Sequence, residues 1–175
     1  MVVESDGFRC QSVDVVRIVK WEQWDGWLDG GVCLDAVKLH GQSLKFVENR
    51  TLEICEAAVA QNPLALEFAK QQTPESCSAA VRRDPWAFEF VKDQTPEICL
   101  EVVMLDGWML EYVRKQTPEL CMAAIRTDAN ALEVVRDQTF ELILTAINMC
   151  VETMRFAKDD VIKEHFKRNS KINHL

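Results

Sequence analysis

TPESCSAAVRRDPWAFEFVKDQ, residues 73–94, runs straight into TPEICLEVVMLDGWMLEYVRKQ at 95–116 and TPELCMAAIRTDANALEVVRDQ at 117–138. The three segments share one skeleton and vary between its members. TLEICEAAVAQNPLALEFAKQQ at 51–72 extends the series backwards. Threonine returns at one constant interval at Thr51, Thr73, Thr95, Thr117 and Thr139, and Cys33, Cys55, Cys77, Cys99 and Cys121 keep the same interval at a fixed offset from it. So short a period marks an array of small units, each too small to bury a core alone.

The ends of the array drift. Gly30 to Arg50 keeps Cys33, Ala36, Val37, Leu44, Phe46 and Val47 in phase but lacks the opening Thr-Pro. Thr139 to Asp160 keeps Ala146, Ile147, Met154 and Phe156, while Ile143 replaces the cysteine and Cys150 replaces the helix-breaking Asp. Terminal units of a repeat stack behave this way because one face has no neighbour to cover it.

Start signals divide each unit into two short helices. At Thr73, Thr95 and Thr117 a capping hydroxyl precedes Pro, which loses nothing at the first helical position, and Glu, which sits well at the positive end of the dipole. Later in each unit, Asn62-Pro63, Asp84-Pro85, Asp106-Gly107 and Asp128-Ala129 begin the second helix. Cys77, Ala80 and Val81 form the apolar stripe of one helix, and Ala87, Phe88 and Val91 answer from the other. Helices of about nine residues do not persist alone in water, so stacking must stabilise them. Ala58, Ala80 and Ala124 allow close approach, and Phe68, Phe90, Tyr112 and Phe156 fill the space between. Glu67–Lys70, Glu89–Lys92, Glu111–Arg114 and Glu133–Arg136 read as solvated i, i+3 ion pairs of about 0.2–0.5 kcal/mol each.

The expected fold is therefore all-α: a right-handed or gently curved solenoid of stacked helical hairpins. Residues 1–29 form an N-terminal cap, 30–160 about six repeats, and 161–175 a basic capping helix and tail. In the cap, Val13, Val15, Val16, Ile18 and Val19 suit a strand, while Ser12 would cap a helix toward Trp21; helix is preferred because everything after it is helical. Trp21, Trp24 and Trp27 read as a hydrophobic lid on the first repeat or as a binding knob.

Composition restricts function. The 175 residues carry a formal charge of −8, and no segment reaches the 18 apolar residues of a membrane span. Met1 to Asp6 lacks the basic start of a secretory signal, giving the cytoplasm, or the interior of a host cell, as the expected compartment. Residues Arg155 to Leu175 hold six of the 20 Lys and Arg but three of the 28 Asp and Glu, leaving 14 against 25 elsewhere. An acidic array with a basic tail is a poor nucleic-acid reader; Lys163, Lys167, Arg168 and Lys171 read as a solvated helix.

No metal or cofactor is expected. Equivalent positions on stacked helices lie about 8–10 Å apart, beyond the roughly 7 Å Cα limit for a disulfide, and His40, His165 and His174 do not pair with cysteines at finger-like spacing. The cysteine ladder reads as small buried packing, with Cys10 and Cys150 as candidate exposed thiols. No nucleophile elbow, phosphate loop or His-Glu-x-x-His pair is present. Glu53, Glu75, Glu97, Glu119 and Glu141 are explained by the helix dipole, and Asp159, Asp160, Glu164 and His165 by a solvated helix start.

One repeat departs from its siblings. Leu100, Met104 and Leu105 stand where others carry Glu56 or Ser78, Arg82 or Arg126, and Gln61, Arg83 or Thr127. With Trp108, and Trp86 one repeat earlier, they make a candidate partner-binding ridge, framed by Arg82, Arg83 and Arg126; the alternative is burial by curvature of the stack.

The Gln-Thr-Pro-Glu junctions at 72–75, 94–97 and 116–119, with their Ala-Val and Ala-Leu-Glu-Phe-Val cores, resemble the tandem repeats grouped as domain of unknown function 4116, found in bacterial and giant-virus proteins. The resemblance spans about residues 30 to 160. It implies a helical array and brings no activity, substrate or catalytic residue. The expected role is a non-enzymatic protein-binding module, an adaptor or a virus- or bacterium-encoded inhibitor, with self-association through the array ends left open. The alternative is an acidic mimic of nucleic acid.

Overall fold

Each capping threonine takes the place its spacing predicts. The computed structural model describes residues 30–172, which contain no strand. The expectations for Cys10, for Val13 to Val19, for Trp21, Trp24 and Trp27 and for His174 lie outside these residues. Six α-helices of equal length start one period apart: α1 (Gly30–Leu39), α2 (Leu52–Gln61), α3 (Pro74–Arg83), α4 (Pro96–Leu105), α5 (Pro118–Thr127) and α6 (Phe140–Met149). From α2 onward, the threonine hydroxyl accepts a hydrogen bond from the third helical N–H, at 3.2–3.4 Å.

The second helix of each unit is shorter and tighter than the apolar stripes predict. It is a six-residue 3-10 helix: η1 (Gly41–Phe46), η2 (Pro63–Phe68), η3 (Pro85–Phe90), η4 (Gly107–Tyr112), η5 (Ala129–Val134) and η6 (Val151–Phe156). One extended residue joins the two. Asp106 donates its N–H to Val102 to end α4, and its carboxylate accepts from the Trp108 N–H at 2.9 Å to open η4. Asn62, Asp84 and Asp128 make the same corner. The run between such a corner and an extended cap is too short for a useful i→i+4 ladder. A rise of about 2.0 Å per residue makes the 3-10 helix about 12 Å long, near the roughly 15 Å of its α-helical partner. Both rows of helices are thus of similar length.

Contacts follow the chain. Consecutive α-helices touch, consecutive 3-10 helices touch, and each 3-10 helix from η2 to η5 packs on its own α-helix and on the next. A single hydrophobic cluster between the two rows runs from Cys33 to Ala146 and includes the alanines Ala58, Ala80 and Ala124. Cys33, Cys55, Cys77, Cys99 and Cys121 are all buried, and none of them is in a disulfide.

Polar bridges tie successive units together, and they correct the predicted ion pairs. None of Glu67–Lys70, Glu89–Lys92, Glu111–Arg114 or Glu133–Arg136 forms a salt bridge; the ion pairs found among the described residues are Arg82–Glu101 and Lys163–Asp159. Three of the four basic members reach back instead to carbonyls near the end of the preceding 3-10 helix. Lys92 donates to Ala69 and Lys70, Arg114 to Val91 and Lys92, and Arg136 to Glu111 and Arg114. Carbonyls at a helix end lack intrahelical partners and carry partial negative charge, so a cation is better placed there than against a solvated carboxylate.

The last unit is incompletely covered. The helix α7 (Asp159–Ile172) follows it directly after the η6 cap. Met154 is 57 % exposed, whereas Leu132, Leu110 and Phe88 at the same place in earlier units are buried, and Val151 is 72 % exposed. The Phe140 ring, which replaces the usual proline, stacks on His165 of α7 at 3.5 Å. Asp159 and Asp160 occupy the first turn of α7, and Lys163 pairs with Asp159 at 3.7 Å on the surface, worth little in stability.

Candidate functional site

Helix α4 buries Ile98, Cys99, Val102 and Val103 against the core, as α2 and α5 do at the same four places. Its outward face is then free to vary, and there it carries Leu100, Met104 and Leu105. All five ridge residues are exposed, from 37 % at Trp108 to 64 % at Met104, so curvature does not bury them. Leu100 and Met104 are one turn apart on one face, Leu105 follows at the end of α4, and Trp108 stands just beyond in η4.

The two tryptophans are held differently. Trp108 donates its indole N–H to the Asp128 carboxylate of the next unit at 3.0 Å. The Trp86 indole instead meets Tyr112 edge-on at 5.8 Å, at the far end of η4. Trp86 is thus drawn along the 3-10 row, away from the corner that Trp108 occupies.

Two of the three arginines expected to frame the ridge have internal duties. Arg83 donates to the Val59, Ala60 and Gln61 carbonyls at the end of α2. Arg82 pairs with Glu101 of α4, whose other oxygen accepts from the Ser78 hydroxyl at 2.6 Å. Partial burial works against the Glu101 charge, but Ser78 and Arg82 outweigh it and hold the carboxyl below the usual range. Arg126, one unit on, is exposed.

The glutamine before each threonine is the structural residue that sequence reasoning passes over. Gln116 donates from Nε2 to Leu110 and Val134, both at 3.0 Å, and accepts from the Arg136 N–H at 2.9 Å. Gln72 and Gln138 repeat all three bonds, and Gln94 repeats the two to the next unit. Arg50 stands at the same place in the first unit and donates to Phe68 in the same way. The recurrence of this residue is the available signal; its partners, most of them in the following unit, are not signalled.

Thiols lean on this ladder. Cys77 Sγ lies 3.7 Å from the Gln72 side-chain oxygen, and Cys121 Sγ 4.0 Å from that of Gln116. Burial pushes the Cys77, Cys99 and Cys121 thiols up, which makes them poor nucleophiles. Cys150 is half-buried and makes no side-chain cap to η6.

A cleft of about 370 Å³ lies at a junction between Lys70, Gln72, Thr73, Cys77 and Lys92. Its Gln72 and Lys92 already bridge the two units, leaving a surface furrow over the stack. Among the described residues, no group of three His, Cys, Asp or Glu gathers at metal-binding distance, and no helix is long and apolar enough to cross a membrane. No family model, curated protein or solved structure matches the chain.

Proposed function

We propose that the chain is a right-handed or gently curved solenoid of six repeated units that serves as a non-enzymatic protein-binding module, an adaptor or an inhibitor acting inside a cell. Membership of the tandem-repeat family that its Gln-Thr-Pro-Glu junctions resemble is part of the same proposal. The observation that carries it is the outward face of α4. Leu100, Met104 and Leu105 are exposed together on one helix, at the places that Glu56, Ala60 and Gln61 hold in α2 and Ser78, Arg82 and Arg83 hold in α3. Contiguous apolar surface kept in water is costly unless a partner covers it, and aromatic and Met side chains are favoured at such interfaces. The partner is a protein, met without cofactor or metal.

Affinity capture from cells of the source organism tests this reading. The parent chain is expected to retain a specific partner that the double variant Met104→Glu, Leu105→Glu loses while staying folded. Capture of the same partner at unchanged affinity by the folded variant would remove the ridge as the site.

A second reading, mimicry of nucleic acid, has one observation in its favour. Glu53, Glu75, Glu97, Glu119 and Glu141 are all exposed at the same first-turn place of successive helices. Stacked helices about 8–10 Å apart give about one charge per 9 Å, whereas duplex DNA carries one per roughly 1.7 Å of axis. The ladder is several-fold too sparse, which ranks this reading second.

A further inference from the structure

The apolar surface of α4 continues across the two helices that follow. Counted from the capping threonine, Leu100 is the sixth residue of its unit, and the sixth residues of the next two units are Met122 and Leu144. Leu144 is exposed and Met122 half-buried, packed at the margin of the core. Helices α4, α5 and α6 touch in sequence and bury matching positions, so these three side chains form a row running across the helices rather than along one.

Two further rows flank it. On the N-terminal side stand the exposed third residues, Glu97, Glu119 and Glu141; on the C-terminal side stand the tenth residues Met104 and Arg126, with Arg82 one unit earlier. The third and tenth residues are about 10 Å apart along an α-helix, which is close to the roughly 10–12 Å diameter of a helix with its side chains. Successive helices about 8–10 Å apart make the row about 16–20 Å long, the length of about 11–13 helical residues. In width and length the strip suits one helix of about three turns.

The flanking charges are unequal. The Glu97 and Glu119 carboxyls bond their own backbone N–H groups and the Thr95 and Thr117 hydroxyls, which hold both below the usual range and therefore ionised. Asp93 and Asp137 in the junctions add to this edge, and Lys115 opposes it. Across the strip, Arg82 is already paired with Glu101, while Arg126 is exposed. The balance is negative, and it is concentrated on one side.

We infer that the row Leu100–Met122–Leu144 seats an amphipathic α-helix of a partner protein, with Lys or Arg beside its apolar stripe facing Glu97, Glu119 and Glu141. This rests on the protein-binding reading above and narrows the partner to a basic-edged helix. Burial of the stripe supplies the affinity, and the glutamate row supplies steering and orientation.

The test uses the full chain and fluorescence anisotropy with synthetic helical peptides of about 18 residues. One carries a leucine stripe flanked by Lys, a second the same stripe flanked by Glu, and a third the Lys flanks with the stripe replaced by Ser. At about 50 mM salt the first is expected to bind at least about tenfold more tightly than either of the others, with much of its advantage over the second lost at about 500 mM. The charge-neutral variant Leu100→Ser, Leu144→Ser should lose that binding by about tenfold, and Glu97→Gln, Glu119→Gln should shrink the preference for Lys flanks, each variant checked for an unchanged unfolding midpoint. Equal or tighter binding of the Glu-flanked peptide, equal binding of the stripeless basic peptide, or binding of none of them would overturn the inference. The protein-binding reading would survive those results as long as Met104→Glu, Leu105→Glu still abolishes capture.

Discussion

Gln116 holds two carbonyls and one N–H from two different units on a single amide, and no other side-chain type offers two donors and an acceptor at that reach. Its loss leaves the Val134 carbonyl and the Arg136 N–H short of a partner in a partly dry junction, while the Leu110 carbonyl keeps its bond from the Val113 N–H. Gln116→Met keeps the volume and removes the bonds, and it is expected to lower stability by about 2 kcal/mol in urea unfolding, given about 1–3 kcal/mol for a buried group left unsatisfied. A cost below about 0.5 kcal/mol would show that water replaces the amide and that the ladder does not tie the units. The recurrence of Gln is legible in the sequence, but its partners are not, because hydrogen bonds that reach into the next unit leave no local pattern. Lys92, Arg114 and Arg136 depart from their expected pairing for a related reason. An i, i+3 spacing from Glu fits an ion pair and a carbonyl cap equally, and the cap wins because it satisfies groups that are otherwise orphaned.

At the scale of the helix pair, threonine marks each α-helix start from α2 to α6, and an Asx residue marks the corners from Asn62 to Asp128. What spacing does not convey is the 3-10 form of the second helix. Ala87, Phe88 and Val91 lie on one side of either helix type, and only the short run between corner and cap excludes the longer ladder. In the α4–η4 unit the packing also limits what can follow the corner, although Pro63, Pro85 and Ala129 carry a Cβ at the same place in other units. A Cβ on Gly107 would meet the Ala124 carbonyl oxygen of the next helix at 2.6 Å. Replacing glycine with alanine where the backbone tolerates it ordinarily stabilises by about 0.4–1 kcal/mol; here Gly107→Ala is expected to destabilise by about 1–3 kcal/mol, read from the thermal or urea midpoint. A gain in stability would mean that η4 and α5 are not in the close contact described. Val151 holds the same place at the end of the array, where it lies open to solvent.

For the molecule as a whole, nearest-neighbour packing divides the residues into those the stack requires and those it leaves free. The period alone exposes much of that division: the cysteine ladder and the small alanines fall on the buried side, and Leu100, Met104 and Leu105 stand out as departures from it. Their exposure is not legible, because an apolar residue out of phase fits a curved, buried interior as well as an open face. The extension of the row through Met122 to Leu144 is also hidden, since Met122 alone looks like ordinary core margin.

The functional reading depends on the outer face of α4 being free of any structural duty, and equilibrium urea unfolding of Met104→Glu measures that directly. Met104 is 64 % exposed, so the variant should unfold within about 0.5 kcal/mol of the parent, as surface substitutions do. A loss of more than about 2 kcal/mol would mean that this methionine is packed inside the folded chain, and the ridge would then be core rather than a surface kept for a partner.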